Sequence, residues 1–406
     1  MIFSRSVLPR SILLLAATHF LVDGYGNILV PLLPLLIPQL NLSLAGAGML
    51  QMCFQLANSV AQLGFGHIAD RWRPRLLLLA GPIVGVTIMP LVGLAPNAWT
   101  LALVLVLGGL GGAAFHPPAA ALVHRDAGRY RGLAMSFHIT SGTLGQAVAP
   151  LAFAPFVQAF GLGATPWLTV PALAVLVVVL LRRLPAFERL HDPGAPGGLR
   201  ALRPYAKPLT QLYLIVVLRT LTAISFSTFV PVMLTRRGMS IAEAGLAASI
   251  YLFAIGAGGF IGGPLADRYG ARRVIILSLV SAVPFLAFAP LFAGWTFVAV
   301  LALGGFLLQS TLPVNVTFAQ TIAPVSAATV SSLMMGFAWG MGGLVVPFVG
   351  LLADRIGIER TLMAMSSLPL AAAAFALRLP RTQPPHVVVR ASETTAAESP
   401  GTDVAP

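Results

Sequence analysis

The chain has 406 residues, 57% hydrophobic and only 9% charged, with a net charge of +13 and a mean hydropathy of +0.88. A soluble domain carries roughly a quarter charged residues, so this composition excludes an aqueous surface and leaves a lipid bilayer as the solvent. It also excludes a nucleic-acid binder despite the charge, because the basic residues sit in short gaps between apolar runs instead of on one face among aromatics.

Arg5, Arg10 and the apolar run from Ser11 resemble the start of a signal peptide. The run continues past Asp23 to Ile37 without a small-residue cleavage site, so it reads as the first membrane span. Stretches of about 20 apolar residues, the length that crosses a bilayer, then follow in order. Spans are expected near 11–37, 45–68, 75–95, 99–123, 132–157, 165–182, 209–233, 241–266, 272–292, 295–317, 328–352 and 358–378. The fold expected is therefore an all-α polytopic membrane protein with twelve transmembrane helices in two pseudo-symmetric six-helix bundles. The bundles would occupy 1–181 and 209–378, joined by a charged, Pro- and Gly-rich cytoplasmic linker at 182–208 and followed by a polar, disordered tail at 379–406. Placing the N-terminus inside puts twenty basic residues on the cytoplasmic side against four outside, Arg236, Arg237, Arg355 and Arg360. That bias sets both termini in the cytoplasm. Cys53 is the only cysteine and lies within an apolar run, so neither a disulfide framework nor a thiolate metal site is expected. Nearly every basic residue is Arg, Lys207 being the only Lys; no physical reason for that bias is evident.

The two halves echo one another. Val30-Pro31 returns as Val230-Pro231, Gly108-Gly109 and Pro117 as Gly304-Gly305 and Pro313, and Gly145 and Pro150 as Gly342 and Pro347. Gly permits close helix contact and Pro opens a kink, and repeated halves around a central site are the build of alternating-access carriers.

Two loops carry a shared pattern. Gly66-His-Ile-Ala-Asp70-Arg71-Trp-Arg73-Pro74-Arg75 follows span 2, and Gly263-Pro-Leu-Ala-Asp267-Arg268-Tyr-Gly270-Ala-Arg272-Arg273 follows span 8. Both resemble the cytoplasmic signature loop of the major facilitator superfamily, although Arg73-Pro74 replaces the Gly-centred turn in the first. A weaker echo, Gly350-Leu-Leu-Ala-Asp354-Arg355-Ile-Gly357, follows span 11 on the outer side. Gly66 and Gly263 would let helix ends approach closely, and Asp70 and Asp267 would accept hydrogen bonds from a neighbouring helix N-terminus. The resemblance implies a gate at these loops, Arg71 and Arg268 included; the plainer reading is topology charge and loop capping. A narrower resemblance covers the first half through His19-Phe20-x-x-Asp23, Gly111-Gly-Ala-Ala-Phe115-His116-Pro117, Arg129-x-Arg131-Gly132-x-Ala134-x-Ser136-Phe137 and Gly142-x-x-Gly145-x-x-x-x-Pro150. Together these look like the fosmidomycin-resistance branch, a group of efflux proteins, and Arg219 in span 7 fits it. The Arg that drug–proton antiporters carry in span 4 is absent here.

Of the twelve acidic residues only Asp23 lies well inside a span, where a charge costs ~2.5–3.5 kcal/mol. His19 is one turn earlier on nearly the same face, and the repeat sets it opposite Arg219. These three read either as a proton- and substrate-handling cluster or as a buried ion pair fixing helix register. His116 and His138 fall toward the cytoplasmic ends of spans 4 and 5, as further functional groups or as interfacial histidines bonded to neighbours. Gln51, Gln55, Asn58 and Gln62 form one face of span 2, lining the cavity or gluing helices, with Gln309, Ser310 and Asn315 as counterparts in span 10.

No phosphate-binding Gly-rich loop occurs and no constellation suggests a metal site or a hydrolase. The sequence thus reads as a proton-driven exporter and not an enzyme. It would need no cofactor beyond the proton gradient of the bacterial inner membrane. Its partners would be protons, lipids and a small solute, one that Arg219 would favour as an anion, and it would work as a monomer. The rival reading is a proton-coupled importer or facilitator of a nutrient such as an organic acid. Reporter fusions test the orientation: a fusion after Pro406 should report the cytoplasm, and one near Arg236 the outer side.

Overall fold

A computed structural model describes residues 9–71, 74–127, 131–181, 199–323, 330 and 333–380. Among them every regular element is helical. The first span is two helices, α1 (Arg10–Gly26) and α2 (Leu29–Gln39). Pro31 lacks the N–H that would reach back to the Asn27 carbonyl, so the ladder opens there and the chain turns before continuing. The first half continues with α3 (Leu44–Arg71), α4 (Pro74–Ile88), α5 (Ala98–Asp126), α6 (Arg131–Phe160) and α7 (Thr169–Leu181).

The second half begins with α8 (Ala206–Arg236), three residues inside the expected linker, followed by α9 (Ile241–Tyr269) and α10 (Ala271–Phe288). Span 10 is divided into α11 (Gly294–Gln309) and α12 (Thr311–Ile322), where Pro313 leaves the Gln309 carbonyl without its donor. A single π-helical turn, Leu333–Phe337, leads into α13 (Ala338–Ile356), and α14 (Ile358–Met365) and α15 (Leu368–Ala376) close the bundle. The linker core at 182–198 and the tail at 381–406, expected to be disordered, lie outside the described residues.

Nine stretches of the described residues are long and apolar enough to cross a membrane. The other three expected spans are helical as well. α3 has 28 residues but is diluted by its glutamines; α7 extends the 3-10 turn Leu162–Leu168; the last span is shared by α14 and α15. The arrangement is consistent with twelve crossings. Its outer surface is apolar, with Trp99 87%, Phe348 69% and Leu277 67% exposed, as suits a protein whose sides face lipid and whose Trp residues sit near helix ends.

The glycines matched in sequence make matched contacts. A Cβ at Gly108 would run into Met89 at the end of the third span, and one at Gly304 into Leu286 of α10. Gly109 faces Ala57 of α3, and Gly305 faces Tyr251 of α9. Gly145 lies on the α1 backbone, where a Cβ would fall 2.8 Å from the Phe20 carbonyl carbon. Gly342 lies on α8, where a Cβ would fall 2.9 Å from Thr220. Such crossings let backbones meet without side chains between them, the packing that works in lipid. The signature-loop glycines do not have the close-approach role expected of them: a Cβ at Gly263 would meet open space, and one at Gly66 would come no nearer than 3.7 Å to Pro117. The close contacts in that helix are at Gly262, one residue before Gly263, against Ser310, and at Gly258, five residues before it, against Phe306.

The halves meet along α3 with α13 and α6 with α9, while α2 also touches α8. α9 starts with a capping box in which Ser240 Oγ accepts from the Glu243 N–H and Glu243 accepts from the Ser240 N–H.

Gly145→Val would drive α1 off α6. Overpacking of this kind costs about 1–3 kcal/mol, so the purified variant should unfold several degrees below the parent in a thermal melt.

Candidate functional site

α1 places His19 and Asp23 one turn apart on the face that packs against α5 and α6. α5 contributes His116, and α6 contributes His138, Gly142 and Gln146. The four ionisable groups converge. His19 Nε2 lies 3.4 Å from Asp23 Oδ2, and His116 Nε2 lies 3.5 Å from Asp23 Oδ1. The His138 ring stands 4.2 Å from that of His19, centroid to centroid, and the His116 ring 5.1 Å. Gln146 Nε2 donates to Asp23 Oδ2 at 3.0 Å. Phe115 walls the cluster, 5.9 Å from the His19 ring. His19 and His138 are buried, while Asp23 and His116 keep 14% and 18% of their side chains exposed.

The tautomer of His19 follows from its neighbours. Its Nδ1 is 2.7 Å from the His138 carbonyl oxygen, which can only accept, so Nδ1 carries a hydrogen. Nε2 therefore faces the Asp23 carboxylate with the remaining lone pair or with a second proton. Without a proton between them, two sets of lone pairs would oppose each other inside the protein. One proton, on either partner, turns the contact attractive. The geometry thus creates a place for a proton. Gly142 leaves the room for it: a Cβ there would fall 2.5 Å from His19 Nε2 and 2.7 Å from Asp23 Oδ2.

No metal constellation was legible in the sequence, yet His19, Asp23 and His116 bring ligand atoms within 4.8 Å of one another. That spacing would also admit a cation. The Gln146 hydrogen bond into Oδ2 competes for the same lone pairs, and it suits a carboxylate that accepts protons.

A second centre lies on α8. Arg219 is fully buried, donating from Nη1 to Gln309 and from Nη2 to Thr220 Oγ1 at 3.0 Å, while its Nε has no partner. The buried Tyr251 of α9 is within its electrostatic reach, and the Tyr251 hydroxyl also lacks a partner. No carboxylate lies within 4.0 Å of Arg219 among the described residues. The expected opposition of His19 and Arg219 thus becomes two separate centres, and a register-fixing pair of Asp23 with Arg219 is not formed. Gln309 joins the Arg219 centre. Gln55 instead packs against Gly343 of α13, at the junction of the halves. His116 and His138, expected near the cytoplasmic ends of their helices, join the Asp23 cluster.

Of the gating residues, the side chains of Asp70 and Arg71 fall outside the described set. Asp267 and Arg268 are exposed, with the Arg268 guanidinium 5.3 Å above the Tyr269 ring. Sequence reasoning missed Gln146 and the role of Gly142. The only signal was their place in the Gly142-x-x-Gly145 run, one helical face that also presents Gln146's neighbour turn to α1.

A bundle with glycine-matched halves, apolar sides and an ionisable centre inside each half is the build of a membrane carrier. Residues 15–241 and 212–400 match the model of the Major Facilitator Superfamily. The chain belongs to that superfamily: it is a multi-pass membrane transporter of a small molecule and not an enzyme. It is similar to the fosmidomycin resistance protein of Escherichia coli (strain K12), 29% identical over 88% of this chain and 89% of the relative. It is also similar to the MFS-type transporter YfnC of Bacillus subtilis (strain 168), 31% identical over 88% and 90%. Its fold matches that of a bacterial homolog of the human lysosomal transporter Spinster, with a TM-score of 0.75 at 20% identity over 92% of this chain and 97% of that one.

Gly142→Ala should cut transport by about tenfold while leaving the melting temperature within a few degrees, because its methyl enters the space beside Asp23 and not a helix backbone. Transport by membrane vesicles and a thermal melt measure the two effects.

Proposed function

We propose that this transporter is a proton-driven antiporter that exports a small anionic solute across the bacterial inner membrane, with both termini in the cytoplasm. The observation that carries this reading is the division of charge between the halves: an acid among three histidines in one, and in the other an arginine without a counter-charge among the described residues. A buried guanidinium with no carboxylate is costly. An anionic solute supplies the missing charge and can use the planar donor fork. The proton slot between His19 and Asp23 supplies the coupling, its occupancy altering the charge that α1 carries among α5 and α6 of the first half. Each half contributes one centre, so a single chain holds both and works as a monomer, with no cofactor beyond the proton gradient. Export as the direction rests on likeness to the fosmidomycin resistance protein. Sensitivity of a deletion strain to toxic anions, against its growth on nutrient anions, tests it.

In proteoliposomes, Asp23→Asn should abolish solute movement driven by a pH gradient and retain exchange of solute at equal pH. Arg219→Lys should lower both by tenfold or more, since a point charge does not replace the fork. Proton-driven transport recovered in the double variant Asp23→Asn with Arg219→Gln would sink the coupling role.

A further inference from the structure

The weak third copy of the signature pattern, Gly350–Gly357, reaches a helix N-terminus through Asp354. Asp354 lies in the last turn of α13, where the dipole of its own helix disfavours an anion. Its two oxygens are taken up by another helix: Oδ1 accepts the Leu44 N–H at 2.8 Å and Oδ2 the Ala45 N–H at 2.9 Å. The first turn of α3 has four amides with no partner inside the helix. Gly46 is capped by the Ser43 hydroxyl at 3.0 Å, and Ala47 makes the helix's first backbone bond, to the Ser43 carbonyl, at 3.0 Å. Of the three amides that side chains cap at this end, two are thus held by the opposite half of the protein.

The backbones beside this contact touch. A Cβ at Gly350 would fall 2.6 Å from the Leu44 carbonyl carbon, and one at Gly48 would fall 2.7 Å from the Val346 carbonyl oxygen. At the same end of the bundle the second seam is also shut. Gln158 of α6 accepts the Ala242 N–H of α9 at 2.8 Å, and a Cβ at Gly245 would fall 2.7 Å from the Pro150 carbonyl oxygen. The corresponding acid of the second copy, Asp267, is exposed and caps no helix among the described residues. One copy of the pattern is engaged in this conformation and another is free.

We infer that Asp354 and the first turn of α3 form the latch of the outer gate, which holds the outer ends of the two halves together and must release before solute leaves. That this end is the outer one rests on the orientation proposed above; the latch itself does not. Asp354 is exposed, so water can replace both amides when the halves part, which a deeply buried tie would not allow. The contact is a charge on a helix terminus, a class of interaction that shifts a two-state equilibrium by roughly two- to fivefold.

The test places spin labels at Met49→Cys and Leu351→Cys, both lipid-facing, in a Cys53→Ser background in nanodiscs without solute or pH gradient. Asp354→Asn should raise the long-distance population two- to fivefold. Gly350→Ala, which presses on Leu44 without touching the carboxylate, should shift it the same way. A distribution unchanged in Asp354→Asn overturns the latch, whatever Gly350→Ala does. If Asp354→Asn does not fold, Asp354→Ser takes its place under the same rule. Because the readout requires no transport, loss of the proton-coupling reading would leave it standing. Labelling of an opened cavity by a membrane-impermeant thiol reagent from the cytoplasmic side only would overturn the assignment of the latch to the outer gate.

Discussion

A polar side chain inside a bilayer has no water to return to, so its partners must come from other helices. This constraint explains more of the structure than apolar burial does. Lipid tails are as apolar as a leucine core, and no hydrophobic drive brings one helix to another. What brings α1 to α6 is the absence of side chains at Gly24, Gly142 and Gly145, which allows His19 Nδ1 to reach the His138 carbonyl. The same crossing delivers Gln146 to Asp23. The glycines and the charged cluster are thus one arrangement: widen the crossing and the polar groups lose the partners that make their burial tolerable.

The two halves share a scaffold and differ in what they bury in it. At equivalent places on α1 and α8, one half has a histidine with an acid nearby and the other an arginine held by Gln309 and Thr220. Duplicated packing with divergent polar content gives two centres of opposite character, one in each half. A proton and an anion can then be handled by different helices. Whatever couples them must act through the relative position of the halves, since no hydrogen bond or ion pair joins Asp23 to Arg219 among the described residues.

The fold was legible because span length and the paired Gly and Pro positions are local or periodic signals. Pro31 and Pro313 even locate the helix breaks in spans 1 and 10, since a missing N–H acts on a carbonyl four residues away. The site was legible only as a roster. Asp23, His19 and Arg219 announce themselves by being ionisable in an apolar run, but their grouping depends on which helices cross. His116 and His138 come from distant stretches of the chain, and depth counted along separate spans does not reveal that they share one centre. Gly66 and Gly263 carried a family pattern whose packing role falls, in the second half, on Gly262 next to Gly263 and on Gly258 five residues before it. Asp354 shows the converse: the weakest copy of the pattern is the one seen making the contact the pattern suggests.

The break between α1 and α2 divides the first span's allegiance. α1 packs among α5 and α6 with the proton-bearing groups, whereas α2, beyond the turn at Asn27, touches α8 and α9 of the other half as well as α3 and α6 of its own. A straight rod spanning both neighbourhoods would have to tilt as one body, dragging the buried acid along with the far half. A jointed rod need not. Asn27, its side-chain amide hydrogen-bonded to the Gln146 carbonyl, is the hip of that joint, fastened to the first half while the limb beyond it rests on both.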